Sequence, residues 1–377
     1  MITLKDPIYN LIEIEDEFLK IINNPFFQRL RSIKQVAMLF YVYPSAKHDR
    51  FTHSIGTYHL MRKVVENNKM NLSDKDKFNL KAAALLHDIG HGPYSHSWEN
   101  LAENFDHEEM SSKIITEIFN LPEVADIISH KNKLYPLLSS VIDVDKLDYM
   151  ARDSYFCGVG YGNTDVERIV SHMYIKNDKL CVSPKIIPSI EHVITGRISL
   201  YKSTYFHHSV RAMDALIEGI FNRAKDLFNK NKPIFIDPLL GVFLKGEQTL
   251  NDFLLLDDSI IEFHLKKWIN EKDPVLKDLI DRFFYRKGFK AVNLTLNPTA
   301  KINLIKDKTI ELIKNPEHLK YYFHQDMIKK GVYESEVYIE KEDGCLIPLS
   351  EYSIYIKKLT EICILEQFII FPKEIDV

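Results

Sequence analysis

Residues 87–96 read HDIGHGPYSH, which places three histidines and an aspartate within ten positions. His87 beside Asp88 offers an imidazole and a carboxylate that can bind one divalent cation, and Gly90 allows a sharp backbone turn there. The preceding segment DKDKFNLKAAALL follows Ser73, a plausible N-cap, so we expect a helix from Ser73 that stops at Gly90. A lone His-Asp pair is usually either a surface pair without function or a buried pair whose hydrogen bonds are satisfied by other protein groups. The interpretation therefore depends on further ligands elsewhere in the chain.

Two other stretches can supply these ligands. His53 lies near the start of a predicted helix in RFTHSIGTYHLM, and Asp145 lies on an apolar-periodic helix in VIDVDKLDYMARD. A carboxylate on such a helix costs free energy unless it is paired or bound to metal. A buried ion pair with Lys146 or Arg152 is the alternative for Asp145, and an ordinary helix N-terminal residue is the alternative for His53. The predicted ligands are two imidazoles and two carboxylates, a set suited to Mn, Mg, Fe or Zn: His53, His87, Asp88 and Asp145.

The composition is that of a soluble globular protein, with 377 residues, 45% of them hydrophobic, and a net charge of −4. The interspersed charges make nucleic acid an unlikely partner, although they allow a small anionic ligand. The sequence has no apolar run of about 18 residues and no signal peptide, so we expect a cytoplasmic protein without a membrane anchor. Four cysteines without CxxC spacing indicate neither a disulfide framework nor a zinc ribbon.

The periodicity predicts a mainly α protein with a short N-terminal β element, a β-hairpin and a small α+β C-terminal lobe. We place the lobe at residues 316–377, after a large domain at 1–315. Its β signals are EVYIEKEDGCLIPL, with a turn at Asp343 and Gly344, and CILEQFIIF. The other predicted strands are a pair within residues 1–14 and a hairpin in MYIKNDKLCVSP. The predicted helices cover residues 53–67, 73–90, 106–119, 137–152, 190–230 and 274–286.

Five linked strings carry a resemblance to a known family: FFQRLRSIKQ, RFTHSIG, HDIGHGPYSH, DHEEMS and DVDKLDYMARD. In this order they resemble the HD-domain deoxynucleoside triphosphate triphosphohydrolases, in the branch of the animal SAM- and HD-domain enzyme and its bacterial relatives, without the SAM domain. The resemblance implies an HD helical core at about residues 50–155. It also implies that water attacks the α-phosphorus of a dNTP and releases a deoxynucleoside and inorganic triphosphate. One divalent metal at the HD site, with further ions alongside the substrate, is implied as cofactor.

The resemblance also assigns catalytic roles. His96 matches the general acid, and Glu99 matches the carboxylate that orients it, where relatives more often have Asp. His91, His107 and Glu108 match residues around the metal and the α-phosphate. On the residues alone, Glu99 is as readily a solvated helix residue, and HEE at 107–109 is an acidic first helical turn favoured by the helix dipole.

For the substrate, the resemblance places Arg50, Lys146 and Arg197 on the triphosphate. Tyr149, one helical turn from Asp145, packs on the deoxyribose and excludes a 2′-hydroxyl. The remaining implied contacts are Asp153 and Gln35 for the 3′-hydroxyl, Val36 against the sugar where relatives have Leu, and Tyr205 and His207 on the base and phosphate side. An aromatic helix face in the core is the alternative for Tyr205.

Members of this branch are oligomers, and the resemblance implies a dimer or tetramer with activator nucleotides at subunit interfaces. The matching positions are Gln28, Arg31, Asp165, Arg168, Arg286 and Lys290. Asn23 replaces the aspartate that reads guanine and Lys5 replaces an asparagine, so guanine-nucleotide activation is not implied. Surface ion pairing is the alternative for Arg286 and Lys290.

Two other functions stay open at this point. One is an HD phosphodiesterase or phosphatase acting on another nucleotide, which would not need both Tyr149 and Asp153 at this spacing. The other is a regulator that binds nucleotide or single-stranded nucleic acid. The preferred base, the native metal and the biological role, pool control or defence against phage, are left undetermined.

Overall fold

The computed structural model describes residues 1–67, 69–95, 98, 102, 105–294 and 300–376. Within these ranges the chain is mainly α-helical with three small β-sheets, which confirms the predicted fold class. The α-helices are α1 (Leu19–Ile22), α2 (Pro25–Gln28), α3 (Arg50–Glu66), α4 (Asp74–Leu86), α5 (His107–Glu117), α6 (Pro122–Ile128), α7 (Val144–Cys157), α8 (Val166–Val170), α9 (Ile187–Leu200), α10 (His208–Asn229), α11 (Pro238–Lys245), α12 (Leu250–Leu255), α13 (Asp258–Trp268), α14 (Pro274–Phe284), α15 (Ala300–Ile313), α16 (Leu349–Tyr352) and α17 (Ile354–Thr360). The strands are β1 (Ile2–Asp6), β2 (Asn10–Ile14), β3 (Met173–Lys176), β4 (Lys179–Val182), β5 (Phe289–Asn293), β6 (His324–Gly331), β7 (Tyr338–Glu340), β8 (Leu346–Pro348) and β9 (Cys363–Pro372).

Helix α3 packs against both α4 and α7, and the predicted metal ligands lie on α3, on α7 and directly after the end of α4. Helix α3 follows Asp49, whose side chain accepts a hydrogen bond from the backbone N–H of Thr52. Helix α4 begins at the predicted N-cap Ser73, which forms a capping box with Asp76. The alanines and leucines at 82–86 are fully buried, and burying each leucine contributes about 1.5–3 kcal/mol. This packing fixes the C-terminal end of α4, where His87 follows.

Helix α7 begins later than its apolar periodicity predicts. The expected start at Leu137 is wrong, because Asp143 is extended and its carboxylate caps the backbone N–H of Lys146. The helix therefore starts at Val144 and ends at Cys157, before Gly158, which adopts a left-handed conformation. As a result Asp145 lies in the first turn, where the helix dipole favours a carboxylate.

The predicted continuous helix over residues 190–230 is interrupted. Helix α9 ends at Leu200, a π-helical turn covers Tyr201–Tyr205, and α10 starts at His208. The hydroxyls of Ser203 and Thr204 donate back to backbone carbonyls four residues earlier, an interaction that often bends helices. Both tyrosines of the π-helical turn line the cavity described below.

The predicted hairpins are confirmed. Strand β1 pairs antiparallel with β2 and β3 with β4, whose turn residues Asn177 and Asp178 have φ of 52° and 59°. Strands β5 and β6 were not expected, since their sequences alternate weakly. They flank β9 in a sheet of order β5-β9-β6, and β4 pairs parallel with β7. Both larger sheets thus combine strands from before and after residue 315, and the domain boundary itself stays a prediction.

All four cysteines are free. Among the described residues, no helix combines the length and apolarity needed to cross a membrane.

Candidate active site

The four predicted metal ligands converge on one point. Nε2 of His53 lies 3.2 Å from Nε2 of His87 and 3.1 Å from Oδ1 of Asp145. Nε2 of His87 lies 3.5 Å from Oδ1 of Asp88 and 3.6 Å from Oδ1 of Asp145. Two atoms that bind one ion at about 2.1 Å from adjacent coordination positions are about 3 Å apart. The spacing of His53, His87 and Asp88 therefore suits a single cation, and Oδ1 of Asp145 lies within 3.6 Å of both imidazoles.

Hydrogen bonds orient both imidazoles toward that point. Nδ1 of His53 lies 2.8 Å from Oδ2 of Asp148, and Nδ1 of His87 lies 3.0 Å from the carbonyl oxygen of Ala84. With Nδ1 engaged, Nε2 is the atom that each ring presents to the cluster. A carboxylate or carbonyl behind a histidine is the usual support of a metal-bound imidazole.

The electrostatics of the cluster favour a positive charge at its centre. Burial alone would lower the pKa of His53, but hydrogen bonds to Asp145 and Asp148 outweigh it and raise that pKa to about 10. Burial opposes the charged form of Asp145, yet His53 and His87 hold its pKa well below the usual range. The mixed nitrogen and oxygen donor set and this attraction for positive charge both fit a divalent cation.

The alternative ion pairs of Asp145 are absent from the described residues. Nζ of Lys146 lies 2.9 Å from Oδ2 of Asp143, and Nε of Arg152 lies 2.9 Å from Oδ2 of Asp148. The contacts of the Asp145 carboxylate are therefore with His53 and His87, which is the position expected of a metal ligand.

Arg50 and two further histidines surround the cluster. The guanidinium of Arg50 forms an ion pair with Asp88 and donates from Nε to Oγ of Ser95 at 2.9 Å. Nε2 of His91 lies 3.4 Å from Oδ1 of Asp88, and its ring stacks on His107 with centroids 4.0 Å apart. Burial and the neighbouring Arg50 hold the pKa of His91 well below its usual range.

Close packing at Gly90 brings α5 to this position. A Cβ at Gly90 would overlap the backbone carbonyl of His107 and the backbone N–H of Ser111. Glu108, in the first turn of α5, is exposed and does not line the cavity. The predicted general acid His96 and its partner Glu99 lie outside the described residues.

A cavity of about 940 Å³ extends from the cluster. It brings together the following predicted residues: Gln35, Val36, Arg50, Asp88, His91, His107, Asp145, Tyr149, Asp153 and Tyr205. The cavity is also lined by residues that the sequence did not indicate, contributed by the π-helical turn, α10 and β6: Tyr201, Arg211, Asp214, Glu218, His324 and Asp326.

Asp153 is held rigidly in this cavity. Oδ1 lies 2.7 Å from Nε2 of His48, and the other oxygen accepts a hydrogen bond from the phenol of Tyr205. The hydroxyl of Tyr149 lies 3.5 Å from that of Tyr201. The carboxylate of Asp153, the ring of Tyr149 and the predicted metal ligand Asp145 thus share one face of α7.

Three predicted substrate contacts lie away from the cavity. Lys146 is paired with Asp143, as described above. Arg197 is buried and donates to the backbone carbonyls of Val141, at 2.9 Å, and Val332. His207 caps α10, where Nδ1 accepts from the backbone N–H of Ser209 at 3.2 Å.

The predicted effector residues occupy separate groups. Nε of Arg31 donates to Gln28 at 2.9 Å, and the Arg31 guanidinium lies 3.5 Å from the ring centroid of Phe51. Asp165 caps α8 by accepting from the backbone N–H of Arg168, whose side chain donates to the carbonyl of Lys185. The other two effector positions are near β5: Arg286 is exposed, and Nζ of Lys290 lies 5.3 Å from the ring of Phe371.

Sequence reasoning missed two residues that hold site residues in place: Asp148, which bonds His53, and His48, which bonds Asp153. The argument that identified Asp145, a carboxylate on an apolar-periodic helix, applies equally to Asp148, so a signal was present. His48 had no comparable signal, because only the fold brings it to Asp153.

Comparison with known proteins places these residues in context. A family model described as HD domain matches residues 50–153. The uncharacterized protein YwfO of Bacillus subtilis is 35% identical over 314 residues, which cover 78% of this chain and 72% of that protein. Human deoxynucleoside triphosphate triphosphohydrolase SAMHD1 is 28% identical over 367 residues, 81% of this chain and 56% of that protein. The crystal structure of a phosphohydrolase from Bacteroides thetaiotaomicron aligns with a TM-score of 0.89 and 29% identity, over 98% of this chain and 99% of that chain.

Proposed function

Because this chain belongs to the HD-domain phosphohydrolase family that includes the deoxynucleoside triphosphate triphosphohydrolases, we propose that it hydrolyses dNTPs to a deoxynucleoside and inorganic triphosphate. Membership of this family shows that the chain is a hydrolase. The choice of substrate and products is the part that we propose.

One observation carries the choice of a deoxynucleotide. Asp145, Tyr149 and Asp153 lie four residues apart on α7, so successive side chains are about 6 Å apart along one face. All three line the cavity. A metal ligand, a flat aromatic ring and a hydrogen-bond acceptor in this order suit a phosphate, a sugar and a sugar hydroxyl.

The sugar end has the features needed to select a deoxyribose. His48 and Tyr205 hold the carboxylate of Asp153, which leaves it oriented to accept from a 3′-hydroxyl. The side-chain oxygen Oε1 of Gln35, in the same cavity, is buried and has no hydrogen-bond partner among the described residues. The ring of Tyr149 would lie against the sugar and occupy the space of a 2′-hydroxyl.

The phosphate end has the cationic Arg50 and two histidines around the ligand cluster. Arg50 lines the cavity beside Asp88 and would bind phosphoryl oxygens, with His91 and His107 as further donors. Lys146 and Arg197 would have to leave Asp143 and the carbonyl of Val141 to reach the same substrate. The proton for the leaving 5′-oxygen is assigned to His96, oriented by Glu99, on the resemblance alone.

A divalent cation held by His53, His87, Asp88 and Asp145 would lower the pKa of water and offset charge on the phosphoryl oxygens. The chain's own contribution is to orient the two imidazoles through Asp148 and Ala84. It also supplies Arg50 against the phosphate and closes the sugar end with Tyr149 and Asp153.

The proposal includes activation by a nucleotide in a homo-oligomer. The group of Gln28 and Arg31 supports it, because Arg31 packs on Phe51, two residues from His53. Turnover with and without GTP or a second dNTP, with the molar mass measured in the same buffer, tests this part. Equal turnover at unchanged mass in all mixtures would contradict it.

Product analysis tests the main proposal. Purified protein would be incubated with Mn²⁺ and each dNTP or NTP, and the anions separated by ion-exchange chromatography. We expect equal amounts of deoxynucleoside and triphosphate, with slower turnover of NTPs. Asp145→Asn should be inactive, whereas Asp178→Asn, which alters an exposed carboxylate paired with Lys133, should retain activity. Release of pyrophosphate or orthophosphate would contradict the proposal and favour another HD phosphohydrolase reaction.

A further inference from the structure

A chain of buried charged groups links the N-terminal hairpin to the metal ligand His53. Nη1 of Arg152 donates to Oδ2 of Asp6 at 2.9 Å. Nε and Nη2 of the same guanidinium donate to Oδ2 and Oδ1 of Asp148 at 2.9 and 3.0 Å. Oδ2 of Asp148 also lies 2.8 Å from Nδ1 of His53. Three distant parts of the sequence thus meet in one hydrogen-bonded path.

The path is closed to solvent. The side chains of Arg152, Asp148 and His53 are 0% exposed and that of Asp6 is 6% exposed. A buried charge must keep its partner, because desolvation without compensation is costly. Gly56 on α3 provides the space, since a Cβ there would overlap both Asp148 and Arg152. The ion pair therefore packs directly on the backbone of the helix that carries His53.

Asp6 also determines the conformation of the hairpin. Its Oδ1 accepts from the backbone N–H groups of Ile8 and Tyr9 at 2.8 and 3.0 Å, which closes the turn between β1 and β2. Its Oδ2 is the atom bonded to Arg152. The carboxylate of Asp6 therefore holds both the backbone of the turn and the guanidinium of Arg152.

We propose that Asp6, Arg152 and Asp148 are positioning residues for His53, and that through them the hairpin of residues 2–14 and the metal site stabilise each other. Asp148 fixes the orientation of the imidazole so that Nε2 faces the other ligands, as outer carboxylates do in metal sites. Arg152 holds Asp148 by two parallel hydrogen bonds, and Asp6 holds Arg152. Coupling of this kind is reciprocal, so metal binding also orders the hairpin. The inference rests on the metal site of the proposed function.

Metal affinity in matched variants tests the path. Asp6→Asn keeps an oxygen that accepts the turn hydrogen bonds but removes the charge and the acceptor facing Arg152. Titration calorimetry with Mn²⁺ should show weaker binding by about threefold to tenfold, and by about 10–100-fold in Asp148→Asn. Glu13→Gln removes a charge from the same hairpin at an exposed ion pair with Arg62 and should leave the affinity unchanged. A merely structural role would lower the melting temperature of Asp6→Asn and leave the Mn²⁺ affinity of the folded protein equal to that of Glu13→Gln, which would overturn the proposal.

Hydrogen exchange of the unmodified protein provides a measurement that does not depend on a variant folding. Mn²⁺ should slow amide exchange in peptides covering residues 1–14 and leave the hairpin at residues 173–182 unchanged. If the protein binds Mn²⁺ but exchange in residues 1–14 does not respond, the coupling is overturned while the metal site stands. If the protein binds no Mn²⁺, both the coupling and the proposed function fail.

Discussion

Nε2 of His48 lies 2.7 Å from Oδ1 of Asp153, and these two buried side chains are 105 positions apart in the sequence. The His48 ring also stacks on Phe156 with centroids 4.7 Å apart, which fixes its orientation. Since Tyr205 bonds the second oxygen, Asp153 presents a preoriented carboxylate to the cavity. Such an acceptor suits a hydroxyl donor on the substrate.

Replacing Asp153 with Asn should therefore reduce turnover of substrates that have a 3′-hydroxyl. A hydrogen bond to a charged group contributes about 1.5–3 kcal/mol, which corresponds to a loss of about 10–100-fold in kcat/KM for dATP. The same variant should differ little from the parent protein on 2′,3′-dideoxy-ATP, which lacks the donor. An equal loss on both nucleotides would show that Asp153 does not bind this hydroxyl.

Tyr149 should control discrimination against ribonucleotides. Tyr149→Ala opens the space beside the sugar, so the ratio of kcat/KM for dATP over kcat/KM for ATP should fall by about tenfold or more. The ratio falls because removing a steric clash helps only the substrate with the 2′-hydroxyl, whereas losing a contact would weaken both substrates. Tyr149→Phe keeps the ring and should keep the ratio. If the ratio is unchanged in the alanine variant, another group excludes the 2′-hydroxyl.

Mn²⁺ should stabilise the folded protein through the four-ligand cluster. A ligand at 100 times its Kd that binds only the folded state adds about 2.7 kcal/mol to the free energy of unfolding. The melting temperature should thus rise on adding Mn²⁺ and return on adding EDTA. Asp145→Asn should lose this response and Asp178→Asn should retain it; a similar rise in both variants would indicate that the ion binds elsewhere.

The buried His59 should make the protein less stable in acid. Burial, followed by the neighbouring Lys63 and Arg62, lowers the pKa of His59 from 6.5 to about 4. The neutral ring therefore stabilises the fold fully above pH 6.5, and this contribution is lost as the pH falls toward 4. His59→Phe keeps a ring against Tyr9, whose centroid is 4.9 Å away, and removes the titration. Urea midpoints at pH 7.5 and 5 should differ more in the parent protein than in the variant, and identical differences would refute the assignment.

The helical core was predictable from local motifs, and the approach of His53, His87, Asp88 and Asp145 to one another was predictable from the resemblance to a known family. Ser73 and its capping box mark the start of α4, whereas the predicted stop at Gly90 is wrong because the helix ends at Leu86. The start of α7 was placed too early because the apolar periodicity begins before Asp143. Asp143 is itself a good N-cap residue and marks the true start. The approach of His48 to Asp153 depends on packing between distant segments, which no local pattern encodes.

The cavity residues contributed by β6 could not be predicted from the sequence either. Strand β6 reads HQDMIKKG, which has little apolar alternation, and it forms because it pairs along its whole length with β9. That pairing places His324 and Asp326 in the lining of the cavity. Strand pairing over this separation is a tertiary property.

The most direct test of the central claim is hydrolysis of dATP in water enriched in oxygen-18, with Mn²⁺ present and both products examined by mass spectrometry. Attack of water on the α-phosphorus predicts one labelled oxygen in the inorganic triphosphate and unlabelled deoxyadenosine. Label in deoxyadenosine, or label in orthophosphate or pyrophosphate in place of triphosphate, would contradict the proposed reaction.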